Sequence, residues 1–244
     1  MSDLDYNYHY SKWHDGSDRD YDQAVAYYKY FMRDIISEIP KEAKVLDYGC
    51  GTGTLVNYLK QRFDDVVGID ASTSQIQVGQ KKGLPLLRVG IDDFNDWCKT
   101  HQNTFDVIFL IDVLEHIPVS EQVNFLKSLS SVLKEDAVIF IKVPNANSPI
   151  AARWLYIDWT HTTSFTEHSL DFVCHNSNLA IETFLPDETG IEPKAKFLIR
   201  PQLRYYYLKK IVRYLWLIYL KSEGQNISGN NLLNKNLFIK CTKK

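Results

Sequence analysis

The sequence predicts an open, doubly wound α/β sheet, and three observations predict it. Short apolar runs of strand type alternate with helical-period segments from Lys44 to Val143. One run, Phe105–Ile111, is apolar apart from Asp106, as a central strand covered on both faces must be. The first run, Lys44–Tyr48, leads into glycines at alternate positions, Gly49, Gly51 and Gly53. Glycine lets a chain turn sharply and approach a ligand with no Cβ in the way.

The elements follow in order. Val25, Tyr28, Met32, Ile35 and Ile39 recur at helical steps from Asp20, and Pro40 closes that segment. Strand Lys44–Tyr48 precedes a helix over Gly53–Arg62. Asp65–Asp70 is a second strand, Ser72–Lys82 a helix and Leu86–Gly90 a third strand. After Phe105–Ile111, Ser120–Leu133 turns Val123, Leu126, Leu129 and Leu133 inward. Ala137–Val143 is a fifth strand, stopped by Pro144. Strands alternating with helices imply parallel pairing and right-handed crossovers. Beyond them, Glu167–Asn176 is helical, and Ala180–Phe184 and Leu237–Thr242 are strands. Between those strands lies a helical insertion at about 190–232, with its helix over Gln202–Lys221 and a Gly/Ser/Asn-rich loop at Ser222–Asn231. The domain division is a lid or tail over 1–20 and one α/β domain over 21–244.

Composition narrows the class. The chain has 244 residues, 45% hydrophobic and 24% charged, which suits one large globular domain. A net charge of −2 supplies no global field for nucleic acid, which argues against that partner. Cys50, Cys98, Cys174 and Cys241 include no C-x-x-C pair, so neither a zinc ribbon nor a redox motif is indicated. The start is polar and tyrosine-rich, unlike a secretory signal, and the apolar stretch Tyr214–Leu220 is too short to cross a bilayer. The expectation is a cytoplasmic protein with reduced thiols.

Acidic residues sit where a nucleoside cofactor needs them. Asp47 lies in strand one beside the glycine turn. Asp70 ends strand two, where a carboxylate can accept both ribose hydroxyls. Asp92, Asp93 and Phe94 follow strand three, where a carboxylate can meet an adenine amino group and an apolar side chain can cover the ring. A dinucleotide fold would want G-x-G-x-x-G, whereas the glycines here alternate.

Val45–Gly53 resembles motif I of the class I S-adenosylmethionine-dependent methyltransferases: a hydrophobic pair, an acidic residue, then G-x-G-x-G. Asp70 and Asp92 match that family's acidic residues after strands two and three. Phe105–Pro118, containing Asp112-Val113-Leu114-Glu115-His116, resembles the fourth-strand motif of a subgroup with ubiquinone-pathway and polysaccharide-pathway O-methyltransferases. The likeness runs over about residues 20–185. It implies a Rossmann-like, seven-stranded sheet in order 3-2-1-4-5-7-6 with strand seven antiparallel, and S-adenosyl-L-methionine as cofactor. The implied cradle is Asp47, Gly49, Cys50, Gly51, Gly53, Asp70, Ala71, Asp92, Asp93, Phe94 and Ile111. An aromatic N-terminal lid with Tyr6, Tyr8, Tyr10, Trp13 and His14 would close it, Tyr10 touching the cofactor.

Two mechanisms serve the acceptor. In the first, His161 is the general base and Asp158 orients its imidazole, with Asp112 nearby at the mouth of the sheet. In the second, Asp112, Glu115, His116 and His161 hold a divalent metal that polarises a hydroxyl. That set resembles the E-x-x-E-H plus distant His site of small-RNA 2′-O-methyltransferases, with Asp at the first position here. A purely structural role for Glu115 and His116 stands beside both. Pro144-Asn145, Asp158, Thr160-His161 and Phe165-Thr166 resemble a stretch of polysaccharide-associated methyltransferases. The leading acceptor is therefore a sugar or glycan hydroxyl in surface-polysaccharide biosynthesis. The alternative is a phenolic or quinone-like small molecule. A cofactor-binding regulatory or scaffolding protein is the non-enzymatic reading.

From Arg200 to Lys221 there are six Lys or Arg and no Asp or Glu. Leu208, Ile211, Val212, Leu215, Ile218 and Tyr219 share one helical face, with Lys209, Lys210, Arg213 and Lys221 on the other. The pattern suits a helix lying on an anionic membrane surface, which would place the protein at the inner face of the membrane. Packing on the domain, a homodimer contact, a calmodulin-like partner and a nucleic-acid patch are the competing readings.

Overall fold

The computed structural model describes residues 17–187, 201–225, 227 and 232–244. Seven strands form one sheet in order β3-β2-β1-β4-β5-β7-β6, as the resemblance implied. They are β1 Lys44–Tyr48, β2 Asp65–Asp70, β3 Leu86–Arg88, β4 Phe105–Ile111, β5 Leu133–Pro144, β6 Leu179–Leu185 and β7 Asn236–Lys243. β1 to β5 pair in parallel, and β7 runs antiparallel between β5 and β6.

The helices are α1 Asp18–Phe31, α2 Arg33–Ser37, α3 Thr54–Leu59, α4 Thr73–Lys81, α5 Phe94–Thr100, α6 Gln122–Ser131, α7 Ala151–Tyr156, α8 Glu167–His175 and α9 Pro201–Ser222. Successive residues of β4 face opposite sides of the sheet. Val107 and Phe109 join the core with α1 and α3, while Ile108 and Leu110 join the core with α5, α6 and α8. The strand is buried on both faces because each face carries a helical layer. All four cysteines are buried free thiols.

The sequence reading needs several corrections. The single helix expected over Asp20–Ile39 begins earlier, where Ser17 caps Asp20, and breaks at Met32 into α1 and α2. β5 starts at Leu133, because a register shift between Phe105 and Val107 lets it pair before the apolar run begins. Two helices were not foreseen. α5 and α7 span only seven and six residues, too short for a period to stand out. The insertion helix lies at Pro201–Ser222, one residue wider at each end than expected. Residues 1–16, including Tyr10 and the rest of the expected lid, fall outside the described residues.

Candidate active site

The turn after β1 is set by its glycines. Gly49 has φ +76°, and a Cβ there would meet Val113 Cγ2 at 2.4 Å, so the strand-four loop packs directly on bare backbone. The amides of Gly49 and Cys50 both donate to Ile69 O, at 2.8 and 3.1 Å. Asp70 then ties the two loops together. Its Oδ2 accepts from Gly51 N at 3.0 Å and its Oδ1 from Ser72 N at 2.7 Å. Each carboxylate oxygen retains capacity for one further hydrogen bond, which two neighbouring ribose hydroxyls could supply. Tyr21 closes the outside of the turn by donating to Thr52 O.

Asp47 is buried, and its Oδ2 has no hydrogen-bond partner. Burial, and then the nearby Asp70, push its carboxyl up to about 8. A buried, unsatisfied carboxyl beside a bare-backbone turn is what a site awaiting a polar ligand looks like. Cys50 is also buried, and its Sγ fills the space that a Cβ on Gly68 would take, so it is a packing residue. Gly53 caps α3 at φ +83°, Ala71 is exposed, and Ile111 is half-buried at the end of β4.

The expected adenine edge is partly corrected. Asp92 and Asp93 are exposed after β3, with Asp93 Oδ2 4.0 Å from Arg88 Nη1. Phe94 does not face them. It begins α5, which swings its ring into the core against Tyr48 and Phe125, with centroids at 5.0 and 5.1 Å. Ile91, 79% exposed, is the apolar side chain the loop leaves open, and the sequence reading passed over it.

On the acceptor side, Leu114–His116 forms a 3-10 turn after β4. Gln122 Nε2 donates to the Leu114 and Ile117 carbonyls, at 3.3 and 3.1 Å. Thr162 donates to Glu115 O through its amide at 2.7 Å and its hydroxyl at 2.9 Å. These bonds fasten the strand-four turn to the segment after β5, so residues distant in sequence meet. The His116 and His161 rings lie 4.8 Å apart, and His161 Nε2 is 4.0 Å from Glu115 Oε1.

The partners of the imidazoles differ from expectation. His161 meets Asp158 through the backbone, its amide donating to Asp158 O at 3.3 Å. The His161 Nδ1 faces the carbonyls of Trp154 and Leu155, both at 3.2 Å, acceptors that an Nδ1–H satisfies, which leaves Nε2 on the side of Glu115. Asp158 acts one residue further on. Its Oδ1 accepts from the Thr160 hydroxyl at 2.6 Å, and Thr160 Oγ1 in turn lies 2.7 Å from His116 Nδ1. That chain makes Nδ1 the donor in His116 too, and leaves its Nε2 open. Burial, then the neighbouring His161, lower the His116 pKa and keep the ring neutral. Thr160, named in the sequence only as half of a Thr-His pair, is the link between Asp158 and His116.

Glu115 is buried, its Oε2 has no partner, and burial raises its pKa well above the ordinary carboxylate range. One ligand atom each from Glu115, His116 and His161 lie within 4.8 Å of one another. Asp112 is not in this group. Its Oδ2 pairs instead with the buried Lys142 Nζ at 2.7 Å. Burial alone would lower the lysine's pKa, but Asp112, Tyr27 and Asp187 outweigh it and hold Lys142 charged. Asp112 has φ +56°, a backbone turn that carries its carboxylate away from the histidines.

A model described as a methyltransferase domain matches residues 24–183. The chain belongs to that methyltransferase domain family. A ubiquinone biosynthesis O-methyltransferase of Actinobacillus pleuropneumoniae is 34% identical over 109 residues, which is 42% of this chain and 46% of that protein. The methyltransferase domain thus spans less than half the length of the curated relatives it matches. Among solved structures, a SAM-dependent methyltransferase from Archaeoglobus fulgidus superposes with TM-score 0.65 at 19% identity, covering 98% of this chain and all of that one. The 1,6-didemethyltoxoflavin-N1-methyltransferase of Burkholderia thailandensis, solved with bound S-adenosylhomocysteine, gives TM-score 0.57 at 17% identity, covering 97% of this chain and 86% of that one. Both likenesses bear on the fold.

The state of Asp47 in this methyltransferase makes a testable pH dependence. A carboxyl whose folded pKa is raised holds its proton more tightly when folded. Ionisation therefore costs native stability, and the loss accumulates from the ordinary value of 3.8 up to about 8. The ligand-free protein is expected to melt at a falling temperature between about pH 5 and pH 8.5. Asp47→Asn should flatten that slope in thermal melts across the range.

Proposed function

We propose that this chain is an S-adenosylmethionine-dependent O-methyltransferase whose acceptor is a phenolic, quinone-like small molecule. The observation that carries the chemistry is the convergence of Glu115, with its unpartnered buried oxygen, on two imidazoles that each leave Nε2 open. The donor supplies a methyl group on a sulfonium, already activated for in-line displacement. Asp70 would accept the ribose hydroxyls, the Gly49–Gly53 backbone would leave room for the nucleoside, and Asp47 would offer its unpartnered oxygen. Asp92, Asp93 and Ile91 would be the residues available to the adenine.

The acceptor hydroxyl must sit about 3 Å from the methyl carbon and lose its proton. Glu115, His116 and His161 suit a divalent cation: one carboxylate and two imidazoles whose Nδ1 atoms are fixed by oxygen partners. A cation held there would lower the pKa of a bound hydroxyl. A phenol, ordinarily near pKa 10, needs modest help from such a site, whereas a sugar hydroxyl needs far more. The ubiquinone-pathway names of the similar proteins support the phenolic acceptor over the glycan. The likeness after β5 to polysaccharide-associated enzymes is left with a structural meaning. Thr160 and Thr162 fasten the two halves of the site.

The test is incubation with isotopically labelled methyl donor and a panel of catechols, hydroquinones, nucleotide sugars and oligosaccharides. A labelled methyl ether on a catechol or hydroquinone, with stoichiometric S-adenosylhomocysteine, is expected in mass spectra. Label on sugars alone would restore the glycan acceptor. Donor binding without any S-adenosylhomocysteine release would leave a cofactor-binding scaffold.

A further inference from the structure

Among the described residues, α9 attaches to the domain by one side. Trp216, Leu217 and Leu220 pack against the core, and Trp216 Nε1 donates to Asn147 O at 2.8 Å. The apolar face read from the sequence points the other way. Leu208, Ile211, Val212, Leu215, Ile218 and Tyr219 are all exposed, from 42% to 58%. They make a continuous stripe along about three turns. Single exposed apolar residues are ordinary, but an unbroken helical stripe marks a surface that something covers.

The chemistry of the edges says what covers it. Lys210 and Lys221 are exposed at one flank. Pro201–Ser222 holds five basic residues and no acidic one, in a chain whose net charge is −2. Tyr205, Tyr207 and Tyr214 are exposed along the same helix. An amphipathic ring with a polar tip suits the headgroup level of a bilayer. A second copy laid on this stripe would bring no carboxylate of its own helix to meet the exposed lysines. Among the described residues no helix is long and apolar enough to cross a membrane, so contact would be parallel to the surface.

We propose that α9 docks this methyltransferase on an anionic lipid surface, with the stripe in the headgroup and upper acyl region and the lysines against the phosphates. The proposal does not depend on which acceptor is methylated.

The test is sedimentation of the full chain with phosphatidylcholine vesicles containing one-third phosphatidylglycerol, beside pure phosphatidylcholine vesicles. Binding to the anionic vesicles is expected at about 50 mM salt and should weaken more than about tenfold at ~0.5 M. Ile211→Glu with Leu215→Glu should lower the bound fraction by more than about tenfold, leaving the melting temperature unchanged because neither side chain packs in the core. Lys210→Glu with Lys221→Glu should weaken anionic binding alone. Failure to bind anionic vesicles at low salt would overturn the proposal. Binding by the Ile211/Leu215 variant equal to that of the parent chain would do the same. A mass that doubles in solution, and is halved by that variant while no vesicle is bound, would assign the stripe to a second copy.

Discussion

Asp70→Ala should weaken S-adenosylhomocysteine binding by at least about 100-fold, read by calorimetric titration. Hydrogen bonds to a charged group contribute about 1.5–3 kcal/mol each, and the substitution removes both oxygens proposed to accept the ribose hydroxyls. It also releases Gly51 N and Ser72 N, the two amides that lock the glycine turn to the end of β2. Asp70→Asn separates these contributions. One oxygen remains to accept a backbone amide, so the fold should melt within a few degrees of the parent while affinity still falls. Removing the Asp70 charge also removes the second cause of the raised Asp47 pKa, and the pH slope of stability should move to lower pH. Equal affinity in the alanine variant would remove the basis for placing the donor here.

Glu115→Gln should lower kcat by about 10²–10⁴ while leaving S-adenosylhomocysteine affinity unchanged. The amide can fill the same space, so packing under the 3-10 turn survives, yet it cannot supply an anionic oxygen to a cation between the histidines. Chelation of the parent enzyme should abolish turnover, and a divalent cation should restore it. His161→Ala should fall by a similar factor and show no rescue by metal. If the chelated parent kept its full rate, the cation reading would fail and His161 would stand as an unassisted base.

Much of this was legible in the sequence because the signals were local and redundant. The sheet order followed from strand-and-helix alternation together with the motif likeness, and the glycine turn needed no structure to be found. Asp47 and Asp70 could be placed because each follows the end of an obvious apolar run. Phe94 could not. Its assignment turned on whether a short polar segment forms a helix, and one turn of helix reverses where a ring points. Asp158 and Asp112 failed for a related reason. Sequence placed both near the histidines, but hydrogen-bond partners are chosen in three dimensions: Thr160 intercepts Asp158, and Lys142 intercepts Asp112. Thr160 was visible only as the partner of His161 in a motif, and Lys142 had no signal of its own. A threonine two residues after an aspartate and a lysine within an apolar strand are each ordinary until the fold gives them their partners.

The four thiols give the molecule a built-in stopwatch. Cys50 sits under the donor turn, Cys98 in α5, Cys174 in α8 and Cys241 in β7, all out of reach of solvent. A bulky alkylating reagent can modify each one only when its own region opens. The order of modification, read by peptide mass, would rank how often each part of the sheet breathes. Saturating donor should slow the clock at Cys50 most.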